Sequence, residues 1–87
     1  MYSKQVVVRC QPGLCNEQAT YFVQKANDFN DASIYLESEN RKMNAKSLLG
    51  IMFLGIVSGM TVTLSASGPD AEAAVNALAE LLERDVY

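Results

Sequence analysis

The sequence predicts a small α+β protein of two layers, in which helices cover one face of a four-stranded antiparallel sheet. One observation is that apolar residues recur with strand spacing in some segments and with helical spacing in others, in the order β-α-β-β-α-β-α. A second is the length of 87 residues, with 49% hydrophobic and 20% charged residues, which is typical of one small globular domain. We therefore expect a single domain over residues 1–87, with three helices on one side of the sheet.

Alternation of apolar and polar residues predicts the four strands. It is clearest near residue 62, where Val62 and Leu64 alternate with Thr61 and Thr63. Residues 38–40 are expected to form the turn between the second and third strands, because Asn tolerates a positive φ. The strands are predicted at residues 4–10, 34–37, 41–43 and 60–66.

Helical spacing of apolar residues predicts the remaining elements. The first helix is expected to begin at about Asn16, and the last to open at Pro69 and Asp70, with proline in the first turn. Residues 48–54 fit either a buried strand or a short helix. Ser47 as an N-cap favours the helix, although Gly50 weakens that interpretation.

Composition excludes several classes of function. The formal net charge is −3, which disfavours nucleic acid as a partner. There is no histidine, the commonest general base and metal ligand, so we expect neither a metal nor a cofactor. Two cysteines are too few for a disulfide framework, and the apolar run 48–57 is too short to cross a membrane. We therefore expect a cytoplasmic protein with no membrane contact.

Three segments carry a resemblance to a known family. They are residues 22–26 (FVQKA), residues 63–70 (TLSASGPD) and, most specifically, residues 44–52 (NAKSLLGIM). The chain resembles the HPr family, the small phosphocarriers of the bacterial sugar phosphotransferase system, together with their histidine-lacking relatives of the Crh type. The resemblance spans about residues 4–84 and implies an open-faced β-sandwich of βαββαβα order.

The sequence departs from this family where the family's phosphorylated histidine would lie. The family motif reads Gly-Leu/Ile-His-Ala-Arg-Pro-Ala, whereas residues 13–19 read GLCNEQA. Cys15 thus replaces the histidine, and Glu17 replaces the arginine that the family uses to bind the phosphoryl group. Ordinary histidine phosphocarrier activity is therefore impossible at this position.

Cys15 leaves three interpretations open. It can be a drifted residue that only keeps its place in the turn. It can be a thiolate that accepts a phosphoryl group, since a helix N-terminus favours a lowered thiol pKa, although the carboxylate of Glu17 would repel a phosphate. It can also belong to a redox or metal-binding thiol module. Cys10 is expected to be a small buried residue of the first strand.

Ser47 is the best functional candidate, because the resemblance implies that HPr kinase/phosphorylase modifies it. An N-cap serine is also a favourable phosphorylation site, and Lys46 would add a neighbouring positive charge. Because the apolar residues of a two-turn helix cannot all face inward, part of this helix is expected to dock partner proteins or to form a homodimer. The expected partner-binding residues are Cys15, Glu17, Tyr21, Gln24, Ser47, Leu48, Leu49 and Met52, and Asn27 could extend the same surface.

The leading hypothesis is a regulatory protein of the HPr/Crh type that is not an enzyme. Its partners would be HPr kinase/phosphorylase, a transcriptional regulator or a metabolic enzyme, and other phosphotransferase components. Phosphorylation of Ser47 would set their affinity. The alternatives are a phosphoryl relay that uses Cys15 as acceptor, and a redox or metal thiol module.

Overall fold

The computed structural model describes residues 1–10, 13–14 and 17–84, and it has the predicted order of elements. Four strands and three helices alternate as β-α-β-β-α-β-α, so the α+β prediction is confirmed. The elements are β1 (Tyr2–Val7), α1 (Glu17–Asn27), β2 (Ser33–Ser38), β3 (Arg41–Asn44), α2 (Leu48–Leu54), β4 (Thr61–Ser67) and α3 (Ala71–Glu83).

The sheet has the strand order β1-β4-β2-β3, and every neighbouring pair is antiparallel. In the centre, Leu64 of β4 lies opposite Lys4 of β1 and Leu36 of β2. The short strands β2 and β3 form a hairpin, whose turn residues Glu39 and Asn40 have φ angles of 51° and 68°. The predicted turn is therefore confirmed at Glu39 and Asn40, both in the left-handed region, whereas Ser38 is the last residue of β2.

One core lies between the sheet and the helices. Because side chains alternate along a strand, Ile34 and Leu36 of β2 point to the same face, where Phe22 of α1 is also buried. The opposite face is largely polar, as the aligned row Gln5, Thr63, Glu37 and Lys42 shows. Further fully buried members of the core are Leu14, Ile51, Ile56, Val62, Leu64, Leu78 and Leu82.

The prediction for the first strand was wrong at both ends. β1 begins at Tyr2 and ends at Val7, whereas Val8 and Cys10 were expected inside it. Their burial still alternates as in a strand, but the sheet partner is lost after Val7. The Val8 amide donates to Met60 at 2.8 Å, and the Cys10 amide to Leu82 of α3 at 3.2 Å. The segment therefore leaves the sheet and is held by a turn and a helix end.

The helices follow the prediction closely except at one position. Residues 48–54 form a helix rather than a strand, and Gly55, with φ 61°, provides its left-handed C-cap. α3 begins at Ala71, so Pro69 precedes the N-cap residue Asp70 instead of lying in the first turn. The expected N-cap of α1, Asn16, lies outside the described residues.

Candidate functional site

Ser47 caps the N-terminus of α2, as predicted. Its backbone is extended, with φ −105° and ψ 115°, and its Oγ accepts a hydrogen bond from the Gly50 amide at 3.2 Å. Its carbonyl accepts the Ile51 amide at 3.0 Å, the first bond of the helix. Ser47 is half-buried, and it lies at a helix N-terminus, where the first amides lack partners within the helix and suit an anion.

The residues before Ser47 are fixed by long-range hydrogen bonds. The Lys46 Nζ donates to the carbonyls of Phe29 and Ala32, both at 2.7 Å, and thereby joins the start of α2 to the loop after α1. Asn27 donates its side-chain amide to the Val23 carbonyl at 2.9 Å and to the Lys46 carbonyl at 3.4 Å.

These contacts hold two side chains near Ser47 in the structure. Lys46 adjoins Ser47 as expected, but two of the three N–H donors of its ammonium are already bound to the Phe29 and Ala32 carbonyls. Asn27 is exposed at the end of α1, and its side chain connects that end to Lys46.

The exposed face of α2 is apolar. Ile51 and Leu54 are buried, while Leu49 is 83% and Met52 47% exposed, and Leu48 is 40% exposed. The prediction that part of this helix faces solvent is therefore correct. No acidic or basic residue lies in its first or last turn. This exposed face is apolar, as the centres of protein interfaces are.

A shallow groove between α1 and α2 joins several of the predicted residues. Glu17, Tyr21 and Gln24 of α1 line it from one side and Met52 of α2 from the other, around a volume of about 540 Å³. The spacing of these α1 residues places them on one face of the helix. We group these residues with Ser47, Leu48 and Leu49 of α2 as one candidate surface, which we call the α1–α2 surface.

The segment that leads to Cys15 lies beside the end of α2. Gly13 forms an isolated bridge with Val57, and the Leu14 amide donates to the Ile56 carbonyl at 3.0 Å. Gly13 has φ 133°, and a Cβ there would collide with the Ile56 carbonyl and the Val57 backbone, so the close approach requires glycine. Cys15 itself lies outside the described residues.

Sequence reasoning missed two residues of this region. Thr20 lines the same groove, three positions after Glu17. Phe53 is 63% exposed, and the Arg41 guanidinium lies over its ring at 5.6 Å from the centroid. The spacing of four from Leu49 could have placed Phe53 on the exposed face, but the pairing with Arg41 depends on β3 lying beside α2.

Two negative findings hold for the described ranges. Among these residues, no three His, Cys, Asp or Glu side chains cluster in a way that could hold a metal ion. In the same part of the chain, no helix is both long enough and apolar enough to cross a membrane.

Comparison with known proteins identifies the family. Residues 2–84 match the family described as the PTS HPr component phosphorylation site. The chain is 42% identical to the HPr-like protein Crh of Halalkalibacterium halodurans, over 98% of this chain and all of that protein. The chain therefore belongs to the HPr family of the phosphotransferase system, which includes the Crh-like proteins.

Solved structures of two members have the same fold. The phosphocarrier protein HPr of Bacillus anthracis superposes with a TM-score of 0.91 at 41% identity, covering 94% of this chain and 96% of that one. Crh of Bacillus subtilis superposes with a TM-score of 0.76 at 39% identity, covering 100% of this chain and 99% of that one, and its crystal structure is described as a domain-swapped, intertwined dimer. The open-faced sandwich implied by the resemblance is thus confirmed.

Proposed function

We propose that this protein is a regulator of the HPr/Crh type in sugar transport and carbon catabolite control. It would bind partner proteins through the α1–α2 surface, and phosphorylation of Ser47 would set their affinity. The observation that carries this proposal is the position of Ser47, which caps a helix whose exposed face is apolar. A phosphate there would change the charge of a docking surface directly.

The modification would be a simple phosphoryl transfer. The Ser47 Oγ would attack the γ-phosphorus of ATP in HPr kinase/phosphorylase, releasing ADP and the hydroxyl proton. The phosphoserine would carry about −1.5 to −2 charge at pH 7. The unmodified surface is apolar along α2, so the two forms would offer different chemistry to the same partner.

The absence of histidine from the sequence separates this protein from the phosphocarriers of its family. No residue of the chain can form a phosphohistidine. We therefore propose that it acts by binding and not by catalysis or histidine phosphotransfer. Its partners would be HPr kinase/phosphorylase and a transcriptional regulator or metabolic enzyme, in the cytoplasm.

A thiol phosphocarrier is the second candidate. The hydrogen bond of Leu14 to Ile56 and the bridge of Gly13 to Val57 hold the two residues before Cys15 beside the end of α2. Glu17, exposed in the first turn of α1, argues against a thiol phosphocarrier, because its carboxylate would repel a phosphoryl group.

Intact mass and peptide mapping distinguish the two candidates. The protein is incubated with HPr kinase/phosphorylase and ATP, and separately with Enzyme I and phosphoenolpyruvate. Our proposal expects one phosphate on Ser47 in the first reaction, none in the second, and none with Ser47→Ala. A phosphate on Cys15 that disappears with Cys15→Ser would favour the carrier, and no phosphate in either reaction would refute both.

A homodimer is a further part of the proposal, because the Bacillus subtilis relative is described as a swapped dimer. Sedimentation velocity of the purified protein over a hundredfold range of concentration tests it. A species of twice the monomer mass of 9.5 kDa supports a dimer, and a constant monomer contradicts it.

A further inference from the structure

We propose that Met60 is an oxidation site, and that its conversion to the sulfoxide loosens the backbone of Gly13 and Leu14. The site lies in the turn of residues 57–60, between α2 and β4. The inference is independent of the proposed function, because it does not involve the α1–α2 surface. It starts from the hydrogen bond that the Val57 amide donates to the Met60 sulfur at 3.2 Å.

The Met60 side chain helps to close this turn. The Met60 amide donates to the Val57 carbonyl at 3.2 Å, and the Val57 amide donates back to the Met60 sulfur. A thioether sulfur is a weak acceptor, but packing positions it here, since Met60 is half-buried and lies against the core. One side chain therefore ties the first residue of the turn to the last.

The turn supports the segment that leads to Cys15. The Ile56 carbonyl, just before the turn, accepts the Leu14 amide at 3.0 Å. Val57, the first residue of the turn, forms the bridge with Gly13. The backbones approach so closely that Gly13 leaves no room for even a methyl group beside the Ile56 carbonyl. A displacement of Val57 would therefore reach Gly13 and Leu14 directly.

The reaction needs a two-electron oxidant, and hydrogen peroxide is the one we name. The sulfur attacks one peroxide oxygen, and an S–O bond forms while the O–O bond breaks. The hydroxide that leaves takes the remaining proton and becomes water, so the thioether is oxidised to a sulfoxide and the peroxide is reduced. Met60 is half-buried and its neighbours Val57 and Gly59 are exposed, which gives so small an oxidant access from solvent.

The sulfoxide cannot keep the present contact with the Val57 amide. An oxygen placed between the sulfur and the amide nitrogen, which are 3.2 Å apart, would collide with the amide. An oxygen placed elsewhere would leave the sulfur, now the positive end of an S–O dipole, facing the N–H group. In both cases the amide loses its acceptor, and a polar group is added to a side chain that packs against the core.

Peroxide treatment followed by amide hydrogen exchange tests the inference. Thiols are restored with dithiothreitol, and peptide mass locates the oxygen on each methionine. We expect oxidation of Met60 to speed exchange at the Leu14 and Val57 amides about two- to tenfold, the effect of one neutral hydrogen bond. The Ala45 amide, which donates to Ile34 opposite the far end of β4, should not change.

Met43→Leu is the matched control. Met43 and Met60 are both half-buried and both pack against the core, but in the described part of the chain only the Met60 sulfur accepts a hydrogen bond. Peroxide should still speed Leu14 exchange in Met43→Leu. It should have no effect in Met60→Leu, which has no sulfur to oxidise. Met60→Gln carries a polar oxygen from the start and should exchange fast before any treatment.

The outcomes decide the inference without reference to Ser47. Methionine sulfoxide reductases A and B, one for each sulfoxide epimer, should restore slow exchange. Oxidation of Met43 while Met60 stays intact would overturn the inference. So would oxidation of Met60 with unchanged exchange at Leu14, or an equal response to peroxide in Met60→Leu.

Discussion

Lys46 shows at the residue scale how a single charged side chain can hold two elements together. Its Nζ donates to the carbonyls of Phe29 and Ala32, which follow α1 in the chain. Both bonds are partly buried, and hydrogen bonds to charged groups contribute about 1.5–3 kcal/mol each at most sites. The side chain therefore matters for stability more than its position beside Ser47 suggests.

Replacing Lys46 with methionine should destabilise the protein. The methylene packing is kept, but the Phe29 and Ala32 carbonyls lose the ammonium donor and Phe29 keeps only the Ala32 amide, so we expect a loss of about 2 kcal/mol in the free energy of unfolding. Urea unfolding followed by circular dichroism measures it. Lys25→Met, at an exposed position of α1, is the control and should change stability by less than about 0.5 kcal/mol. A similar loss in both variants would mean that the two hydrogen bonds contribute nothing specific.

Single residues also mark where sequence reasoning stops. Ser47 as a cap was predictable, because the signal is local: a serine followed by an apolar helical segment. The Arg41–Phe53 pair was not, because its members are twelve positions apart and meet only when β3 packs beside α2. The same reason explains Lys46, whose partners lie 14 and 17 positions away.

At the scale of elements, α2 is a short helix of seven residues that depends on its ends. So short a helix is unstable alone, and caps and packing must hold it. Ser47 begins it and Gly55 ends it, while Ile51 and Leu54 anchor it in the core. A residue that both caps a helix and receives a phosphate must be tested so that the two roles are separated.

The variants Ser47→Ala and Ser47→Asp separate the capping role of Ser47 from its proposed role as a phosphate acceptor. Alanine removes the acceptor for the Gly50 amide and should cost about 1 kcal/mol of stability, whereas aspartate is an equally good N-cap and should preserve it. Hydrogen exchange at the Gly50 amide and the unfolding midpoint in urea measure the difference. Equal destabilisation by the two substitutions would show that capping is not what Ser47 contributes.

The strands show the same division between local and distant information. β4 was predicted to within one residue at each end, because its alternation is regular. β1 was misplaced because its end is decided by its partner: β4 begins at Thr61, opposite Val7, and Val8 bonds instead to Gly59 and Met60, which precede β4. Alternating burial continues to Cys10, so the sequence pattern alone could not reveal this boundary.

At the scale of the whole molecule, one core connects all seven elements. Buried residues from the sheet, the helices and the connecting segments belong to a single cluster, which includes Leu14 and Ile56 from the connections. The charges are distributed unevenly around it: the β3–α2 region is positive, and most of the acidic residues lie elsewhere. We predict a single domain over residues 1–87, and this one core makes the prediction testable by unfolding.

Unfolding should be one cooperative transition. With a single core there is no part of the fold that can melt alone, so different probes should report the same midpoint. We expect the urea curves from far-ultraviolet circular dichroism and from tyrosine fluorescence to coincide. Two separate transitions, or a plateau between them, would contradict a single domain.

The bonds of Lys46 and Asn27 have a consequence for the speed and form of signalling. They fix the backbone on the N-terminal side of Ser47, and the helix fixes it on the other side. A phosphate added there, as proposed, would lie at the N-terminus of a helix that is already formed and would need no hinge, lid or refolded segment. The protein would then switch without a conformational change: its backbone shape would stay constant, and only the charge of its surface would change.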